Sequence, residues 1–138
     1  MQTILFLRGL PASGKSTFAK QYCIEFPEFV RINKDVIREL LGNPRFTRAF
    51  EDEVLDIERR MGKIILQFGK SLIVDDSNFS KIHYNYWKQI ALANNYLFEF
   101  KFLDVSLEEC ILRDRNRKDS VGEEVIIDMY NKYLKPNA

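Results

Sequence analysis

The sequence predicts an α/β fold in which a parallel sheet carries helices on both faces. Two observations lead to this prediction. Short apolar runs alternate with helical patterns along the chain, and the run 71–75 has a continuous apolar centre, as a strand buried on both faces requires. Parallel strands need crossover connections, and these are right-handed, so the intervening helices are expected to cover both faces of the sheet.

Composition limits the classes of function. The 138 residues are 46% hydrophobic and 30% charged, which predicts one globular domain over 1–138. The net charge of +1 predicts that any contact with nucleic acid involves few phosphates. No signal peptide or membrane span is recognisable, and the isolated Cys23 and Cys110 are typical of reduced core residues in a cytoplasmic protein. With His83 as the single histidine, a histidine-rich metal site is excluded.

The first predicted strand, 4–7, leads into the motif G-x-x-x-x-G-K-[ST], and a helix is predicted from Thr17 to Phe26. Such a loop surrounds phosphate groups with backbone N–H groups, and the helix adds its positive N-terminal end. Lys15 is expected to reach the β- and γ-phosphates of a nucleoside triphosphate, and the Ser16 hydroxyl to bind Mg²⁺. The predicted nucleotide contacts in the loop are Gly9, Pro11, Ala12, Ser13, Gly14, Lys15, Ser16 and Thr17.

The second predicted strand, 29–33, ends at Asn33, which is expected to cap a helix running from Lys34 to about Leu41. Asp35 and Arg38 lie three residues apart in this helix and therefore share one face. The helix dipole keeps Asp35 ionised, so it can accept a proton from an alcohol that attacks a γ-phosphate. Arg38 can grip a phosphate or carboxylate on the acceptor. The alternative is a structural ion pair between the two.

The third predicted strand, 71–75, is followed by a polar segment that includes Asp76, Asn78 and Phe79. Since ligands of open α/β sheets bind beyond the carboxyl ends of the strands, this segment should share a cleft with the phosphate-binding loop. Asp75 or Asp76 is expected to hold Mg²⁺ through water, and only one of the two should point into the site because strand side chains alternate.

The remaining chain completes the alternation of strands and helices. An Asn43-Pro44 loop precedes a helix capped by Thr47, and Ser80 and Ser106 are expected to cap two later helices. The fourth strand is predicted over 96–103 and the last helix over about 122–134. A helical stripe predicted to be core packing consists of Phe50, Val54, Ile57, Met61, Ile64, Ile65 and Phe68.

A basic run, 113–118, follows the helix that Ser106 caps, which is predicted to end at Leu112. Such a run is usually a solvated surface. In a phosphoryl-transfer enzyme it can instead act as a lid that brings arginines onto the phosphates and excludes water, and we predict such a lid over about 113–121. Arg117 and, as second choice, Arg113 are the predicted phosphate contacts.

Four segments in this order resemble the polynucleotide 5′-kinase family, including the kinase half of the phage end-healing enzyme. They are the phosphate-loop motif, Ile32-Asn33-Lys34-Asp35-x-x-Arg38, Ile73-Val74-Asp75-Asp76-Ser77-Asn78 and the arginine-rich run. The resemblance covers nearly the whole chain. It implies an adenylate-kinase-like fold and ATP- and Mg²⁺-dependent phosphorylation of the 5′-hydroxyl end of DNA or RNA, in the cytoplasm or, for a phage protein, that of its host.

The resemblance also implies roles for individual residues. Lys15 and Ser16 would serve ATP and Mg²⁺, Asp35 would be the general base, and Arg38 would hold the phosphate on the 3′ side of the acceptor nucleotide. Asp76 matches the acid of the family's D-[ST]-N element, and Arg117 would stabilise the transferring phosphate. Further acceptor contacts are expected near the rim, where Lys34, Arg45 and Arg48 supply charge and Phe46, Phe50 or Phe79 could stack on a base.

Two other functions stay open at this point. The pattern Asp35-x-x-Arg38 also resembles kinases of shikimate, gluconate or nucleotide sugars, and a nucleotide-binding module without transfer chemistry is a third class. The chain has no D-x-D-x-T phosphatase motif and no K-x-D-G ligase motif, so those activities are not expected.

Overall fold

The computed structural model describes residues 1–42 and 47–136 of the chain. Its strands are β1 (Thr3–Arg8), β2 (Phe29–Ile32), β3 (Ser71–Asp75) and β4 (Leu97–Phe102). They form one parallel sheet in the order β2-β3-β1-β4. Because β3 lies between β1 and β2, the carboxyl ends of these three strands lie side by side, as the sequence predicts.

The helices cover both faces of this sheet, which confirms the predicted α/β fold. They are α1 (Lys15–Glu25), α2 (Lys34–Leu40), α3 (Arg48–Gln67), α4 (Lys81–Ala93), α5 (Leu107–Arg115) and α6 (Glu123–Tyr133). Alternate side chains of β1 point to opposite faces: Ile4 and Phe6 pack with α3 and α4, whereas Leu5 and Leu7 pack with α1. Burial on both faces explains why β1 and β3 read as continuous apolar runs.

Polar caps fix where the helices begin. The side chains of Asn33, Thr47, Ser80 and Ser106 each accept a hydrogen bond from a backbone N–H group in the first turn of the helix that follows, so all four predicted caps are confirmed. The predicted Asn43-Pro44 loop and the rim residues Arg45 and Phe46 lie outside the described residues.

The predicted core stripe of α3 is wrong in part. The residues of α3 that are buried are Val54, Glu58, Gly62 and Leu66. Phe68 is 79% and Ile64 is 51% exposed. The helix approaches Trp87 of α4 so closely that a Cβ atom on Gly62 would lie 2.4 Å from Trp87 Cη2. A small residue and a carboxylate therefore occupy the innermost line of the helix, and a search for large apolar residues does not find that line.

Two further boundaries concern the site. Helix α5 continues to Arg115, three residues beyond its predicted end, so Arg113 lies on a helix. Strand β4 forms one edge of the sheet. Two of its apolar side chains, Leu97 and Phe100, are 48% and 44% exposed. Within 1–42 and 47–136, the chain has no helix long and apolar enough to cross a membrane.

Candidate active site

A cavity of about 1140 Å³ opens at the carboxyl ends of β1, β2 and β3. Its walls come from the phosphate loop (residues 9–17), the first turns of α2, the segment after β3, and helices α5 and α6. The structure therefore brings the separate sequence motifs to one place. The predicted site residues that line the cavity are Pro11, Ala12, Gly14, Lys15, Ser16, Thr17, Asp35, Arg38, Asp75, Asp76, Asn78, Arg113 and Arg117.

The phosphate loop has the backbone geometry that its motif predicts. Gly14 has φ +97° and begins α1 as its N-cap, a conformation that favours glycine. A Cβ atom on Gly9 would lie 2.5 Å from Ser13 Oγ, so the turn leaves no room for a side chain there. Gly9 and Ser13, two further predicted contacts, are buried and do not line the cavity.

Lys15 is 9% exposed, and its Nζ donates to the carbonyl oxygens of Gly9 at 2.9 Å and Leu10 at 2.8 Å. Burial lowers the pKa of Lys15 to about 8, although the carboxylates of Asp75 and Asp76 favour the charged form. An ammonium group with so little access to water binds a polyphosphate more strongly than an exposed one would, because the surrounding dielectric is low.

Asp75 ends β3 and is completely buried. Its Oδ2 accepts from Arg31 Nε at 2.6 Å, and Arg31 Nη2 also donates to Ser16 Oγ at 3.2 Å. Burial raises the pKa of the Asp75 carboxyl, and the Arg31 guanidinium opposes this shift. The Oδ1 atom of Asp75 has no hydrogen-bond partner within the part of the chain that the structure describes.

This donor set fits a magnesium ion. A buried carboxylate oxygen without a partner, next to the Ser16 hydroxyl at the first turn of α1, can accept hydrogen bonds from the water molecules of a magnesium shell. The described residues contain no group of three or more His, Cys, Asp and Glu side chains arranged to enclose an ion. The site therefore suits an ion held mainly by phosphates and water rather than one held by a protein cage.

Both aspartates line the cavity. Strand alternation stops at Asp75, where β3 ends, and Asp76 already belongs to the following segment. Asp76 Oδ1 accepts from the backbone N–H of Lys34 at 2.9 Å and so ties this segment to the start of α2. Its other oxygen faces Glu58 of α3, which is 1% exposed.

Glu58 and Asp76 form a buried carboxyl pair. Burial raises the pKa of Glu58 well above its ordinary range, and the negative charge of Asp76 adds to the effect. Burial beside Asp76 therefore favours the protonated form of Glu58.

Asp35 and Arg38 contact each other at the rim of the cavity, as their spacing predicts. Arg38 Nη1 donates to Asp35 Oδ1 at 2.6 Å. The side chain of Asp35 is 83% exposed, so it is accessible to an alcohol. The main partner of Arg38 is Glu51 of α3, whose two carboxylate oxygens accept from Nε at 3.0 Å and from Nη2 at 2.5 Å.

The Glu51 fork orients Arg38. It occupies the side of the guanidinium that carries Nε, and Asp35 accepts from one N–H of Nη1, so one N–H group on each of Nη1 and Nη2 is left for a further anion. The hydrogen bond to Arg38 lowers the pKa of Glu51.

Asn78 connects two strand ends at the site. Its Nδ2 donates to the carbonyl oxygens of Leu7 at 2.6 Å and Val74 at 3.1 Å, which joins the ends of β1 and β3. Phe79 lies elsewhere than predicted. It does not line the cavity, because its ring stacks on Tyr133 of α6 with centroids 5.0 Å apart. This contact with α6 argues against a role for Phe79 in stacking on a substrate base.

The two predicted lid arginines occupy different places. Arg113 Nη1 lies 3.4 Å from the carbonyl oxygen of Ser13 and so covers the phosphate loop. Arg117 follows α5, lines the cavity, and donates from Nε to Asp114 Oδ1 at 2.8 Å.

Sequence reasoning missed several residues of the site. Arg31, Glu51 and Glu58 act from positions that carry no recognisable motif, and only the fold shows what they touch. An apolar wall formed by α6 and by Val121, which precedes the N-cap of α6, was also missed. Val125 and Met129 read as core positions of an amphipathic helix. The residues of this wall are Val121, Val125 and Met129.

His83 is half-buried beside Arg59, whose Nη2 lies 3.4 Å from His83 Nδ1. Burial, and then the nearby charges of Lys34 and Arg59, lower the pKa of His83 to about 4. The ring is therefore neutral at physiological pH, and it does not line the cavity.

The family model described as AAA domain matches residues 4–136. The chain belongs to this family. Together with the phosphate loop and the parallel sheet, this makes it a P-loop domain of the α/β class. The predicted resemblance to polynucleotide kinases is confirmed by a viral relative that carries this name.

Two curated relatives match nearly the whole chain. A protein of Autographa californica nuclear polyhedrosis virus, named as a bifunctional polynucleotide kinase/RNA ligase, is 31% identical over 97% of this chain and 21% of its own length. An L-seryl-tRNA(Sec) kinase of Methanococcus maripaludis is 28% identical over 98% of this chain and 54% of its own length. The chain thus spans between 21% and 54% of the length of these curated relatives.

Among solved structures, the Pnkp1/Rnl/Hen1 RNA repair complex contains a chain that superimposes with a TM-score of 0.78 and 24% identity. The match covers 96% of this chain and 44% of that one. At this level of identity it shows that the fold is shared.

Proposed function

We propose that this P-loop protein is a kinase that transfers the γ-phosphate of ATP to the 5′-hydroxyl end of DNA or RNA. The observation that carries the proposal is the placement of Asp35 and Arg38, which lie side by side on the first turns of α2 and face the phosphate loop across one cavity. A site that only binds a nucleotide does not need an exposed carboxylate here, whereas a site that activates an alcohol does.

The proposed reaction moves one proton and one phosphoryl group. The 5′-hydroxyl oxygen forms a bond to the γ-phosphorus while its proton passes to the Asp35 carboxylate, and the bond from the γ-phosphorus to the bridging oxygen of ADP breaks. Lys15 and the N–H groups of the phosphate loop hold the β- and γ-phosphates, and Arg117 and Arg113 lie where they can balance charge on the transferring group. Ser16, together with Asp75 and Asp76 through water, would hold Mg²⁺, which neutralises phosphate charge.

Arg38 is the residue that leads us to propose a nucleic acid as the acceptor. With Glu51 holding one side of the guanidinium, the N–H groups that remain can bind a phosphate next to the reacting nucleotide. The apolar wall of Val121, Val125 and Met129 offers a surface for a planar base on the same cavity. The nucleic-acid reading also has the support of the viral relative named for polynucleotide kinase activity.

The alternative acceptor is the hydroxyl group of a smaller molecule or of a seryl group. The proposed general base and the phosphate loop would act on such an acceptor in the same way. The relative that is named as an L-seryl-tRNA(Sec) kinase favours including a serine hydroxyl among the acceptors to be tested. Shikimate, gluconate and nucleotide sugars represent the remaining small alcohols.

The test is transfer of a labelled γ-phosphate from ATP with Mg²⁺ to 5′-hydroxyl DNA and RNA oligonucleotides, with the smaller alcohols and a seryl-tRNA in parallel. Label at the oligonucleotide 5′ end supports the proposal. Ready transfer to a small alcohol or to the seryl group, with none to a 5′ end, overturns the substrate and keeps the roles of Lys15 and Asp35. ATP binding without transfer to any acceptor overturns the kinase proposal.

The variant Arg38→Lys separates the two classes of acceptor. A lysine keeps the charge and loses the planar fork, so KM should rise for a nucleoside 3′-monophosphate acceptor and stay unchanged for the matching nucleoside, which has no phosphate. An equal change in KM for both acceptors would remove phosphate recognition from the role of Arg38.

A further inference from the structure

One buried carboxylate lies between the arginine-rich segment and the cavity wall. Asp114 is 1% exposed and is the last buried residue on the inner side of α5, one turn after Cys110. Its two oxygens together accept four hydrogen bonds, two on each atom. No role was assigned to Asp114 by the sequence motifs.

The first oxygen of Asp114 joins a side chain to the backbone. Oδ1 accepts from Arg117 Nε at 2.8 Å and from the backbone N–H of Val121 at 3.0 Å. Arg117 is thereby held through Nε, which leaves the N–H groups of Nη1 and Nη2 available, and Arg117 lines the cavity.

The second oxygen anchors the start of α6. Oδ2 accepts from Ser120 Oγ at 2.7 Å and from the backbone N–H of Gly122 at 3.0 Å. Gly122 is the N-cap of α6 and has no side chain to satisfy the first turn, so Asp114 supplies an anchor from α5 just ahead of it. The cavity wall residues Val121 and Val125 depend on where this helix begins.

We infer that Asp114 is a positioning residue that fixes Arg117 and the wall of α6 in one arrangement over the phosphate loop. The inference rests on the proposed function, because it takes Arg117 to act on the transferring phosphate. The hydrogen bonds also outweigh the effect of burial and lower the pKa of Asp114 to about 2, so the carboxylate is charged throughout the physiological range.

The contrast with Arg113 makes the inference specific. Arg113 also pairs with a carboxylate, Glu109 Oε1 at 3.0 Å, but that side chain is 45% exposed and lies one turn away on the same helix. Exposed pairs of this kind contribute little. Asp114 is buried and accepts from four donors within residues 117–122, so Asp114 is expected to control the position of its arginine, whereas Glu109 is not.

The first experiment measures kcat for phosphate transfer in Asp114→Asn, Glu109→Gln and Ser120→Ala. An asparagine offers one accepting oxygen, and its amide group would face two donors, so kcat should fall about 10- to 100-fold, the scale of a lost charge-assisted hydrogen bond. Glu109→Gln keeps the Asp114–Arg117 contact and should stay within about twofold of the wild type. Ser120→Ala removes one of the four hydrogen bonds to Asp114 and should lower kcat less than Asp114→Asn does.

A double-mutant cycle with Arg117→Ala then tests the route of the effect. If Asp114 acts through Arg117, Asp114→Asn has little further effect on kcat once Arg117 is alanine. The same fold-loss in both backgrounds would overturn the inference.

A measurement that does not require catalysis tests the role of Asp114 separately from the proposed kinase function. In wild-type protein, the Arg117 Nε–H signal in a ¹⁵N–¹H spectrum, assigned by its loss in Arg117→Lys, should exchange with water more slowly than that of Arg115, whose partner Glu123 is exposed. Equal exchange rates would overturn the inference, whether or not the protein phosphorylates a 5′ end. This exchange measurement does not depend on the folding of any Asp114 variant.

Discussion

The phosphate loop and the first turns of α2 face each other across one cavity, yet they are held in different ways. On the loop side, Lys15 and Asp75 are 9% and 0% exposed, and backbone geometry and strand ends fix their positions. On the α2 side, the side chain of Asp35 is 83% exposed and, within the described residues, is held by Arg38. The comparison shows that the phosphate-loop half of the cavity is built into the core, whereas the α2 half lies exposed at the rim.

The buried half should be the more sensitive to substitution. Lys15→Ala removes the buried ammonium, so ATP binding should weaken by about 10- to 100-fold and the transfer rate should fall by about 10²- to 10³-fold or more. Calorimetric titration with ATP and a transfer assay measure the two losses. Lys20→Ala, an exposed lysine on the same helix, is the control. Full activity in Lys15→Ala would contradict the assignment of the phosphate loop.

The exposed half should separate chemistry from binding. Asp35→Asn removes the proposed base while nearly preserving shape, so transfer should drop more than about 100-fold and ATP affinity should stay unchanged. Glu39→Gln changes an exposed acid on α2 that is outside the cavity wall, and it should have no effect on either quantity. Unchanged turnover in Asp35→Asn would exclude Asp35 from the mechanism.

The orientation of Arg38 at the rim of the cavity should depend on Glu51 of α3. Glu51→Gln loses the charged fork that orients Arg38, so KM for a phosphate-bearing acceptor should rise by about tenfold and KM for ATP should stay constant. Steady-state kinetics with both substrates varied measure this difference, and Asp52→Asn, an exposed neighbour, is the matched control. A rise in KM for ATP instead would place the effect of Glu51 in the loop half.

The smallest effect concerns stability rather than activity. Because burial raises the pKa of Glu58, the folded protein keeps a proton that the unfolded chain releases above about pH 4.3. The stability that this group contributes is therefore fully present below that pH and declines as the pH rises towards the folded-state pKa.

Glu58→Gln tests this sign. The amide keeps a donor for Asp76 and does not titrate, so the difference in unfolding free energy between variant and wild type should grow in favour of the variant from pH 5 to pH 8. Denaturant titrations at both pH values, with the exposed Glu53→Gln as control, measure the difference. A constant difference would show that Glu58 does not hold the extra proton.

Most of the fold and the buried half of the site follow from the sequence. The strands β1 and β3 are buried on both faces, so their apolar runs are unmistakable, and the motif around Lys15 dictates both the loop and the helix after it. Helix caps such as Asn33 are local and were predicted for the same reason.

The part that could not be predicted depends on long-range contacts. Arg31 and Glu51 reach their partners across strands and helices, and nothing in their own neighbourhoods marks them. The inner line of α3 was misplaced because Gly62 and Glu58 are not large apolar residues. Phe79 follows a site strand in sequence, but packing against Tyr133 turns it to another part of the molecule.

The open edge at β4 has a consequence for the protein in concentrated solution. Phe98, Phe100 and Phe102 alternate along a strand whose outer backbone groups can pair with another chain, and a net charge of +1 gives little repulsion between copies. Glu99 and Lys101 stand between these aromatic residues and are exposed. Charged side chains on an edge strand disfavour addition of a further strand, so colloidal solubility rests on these two residues more than on the overall charge.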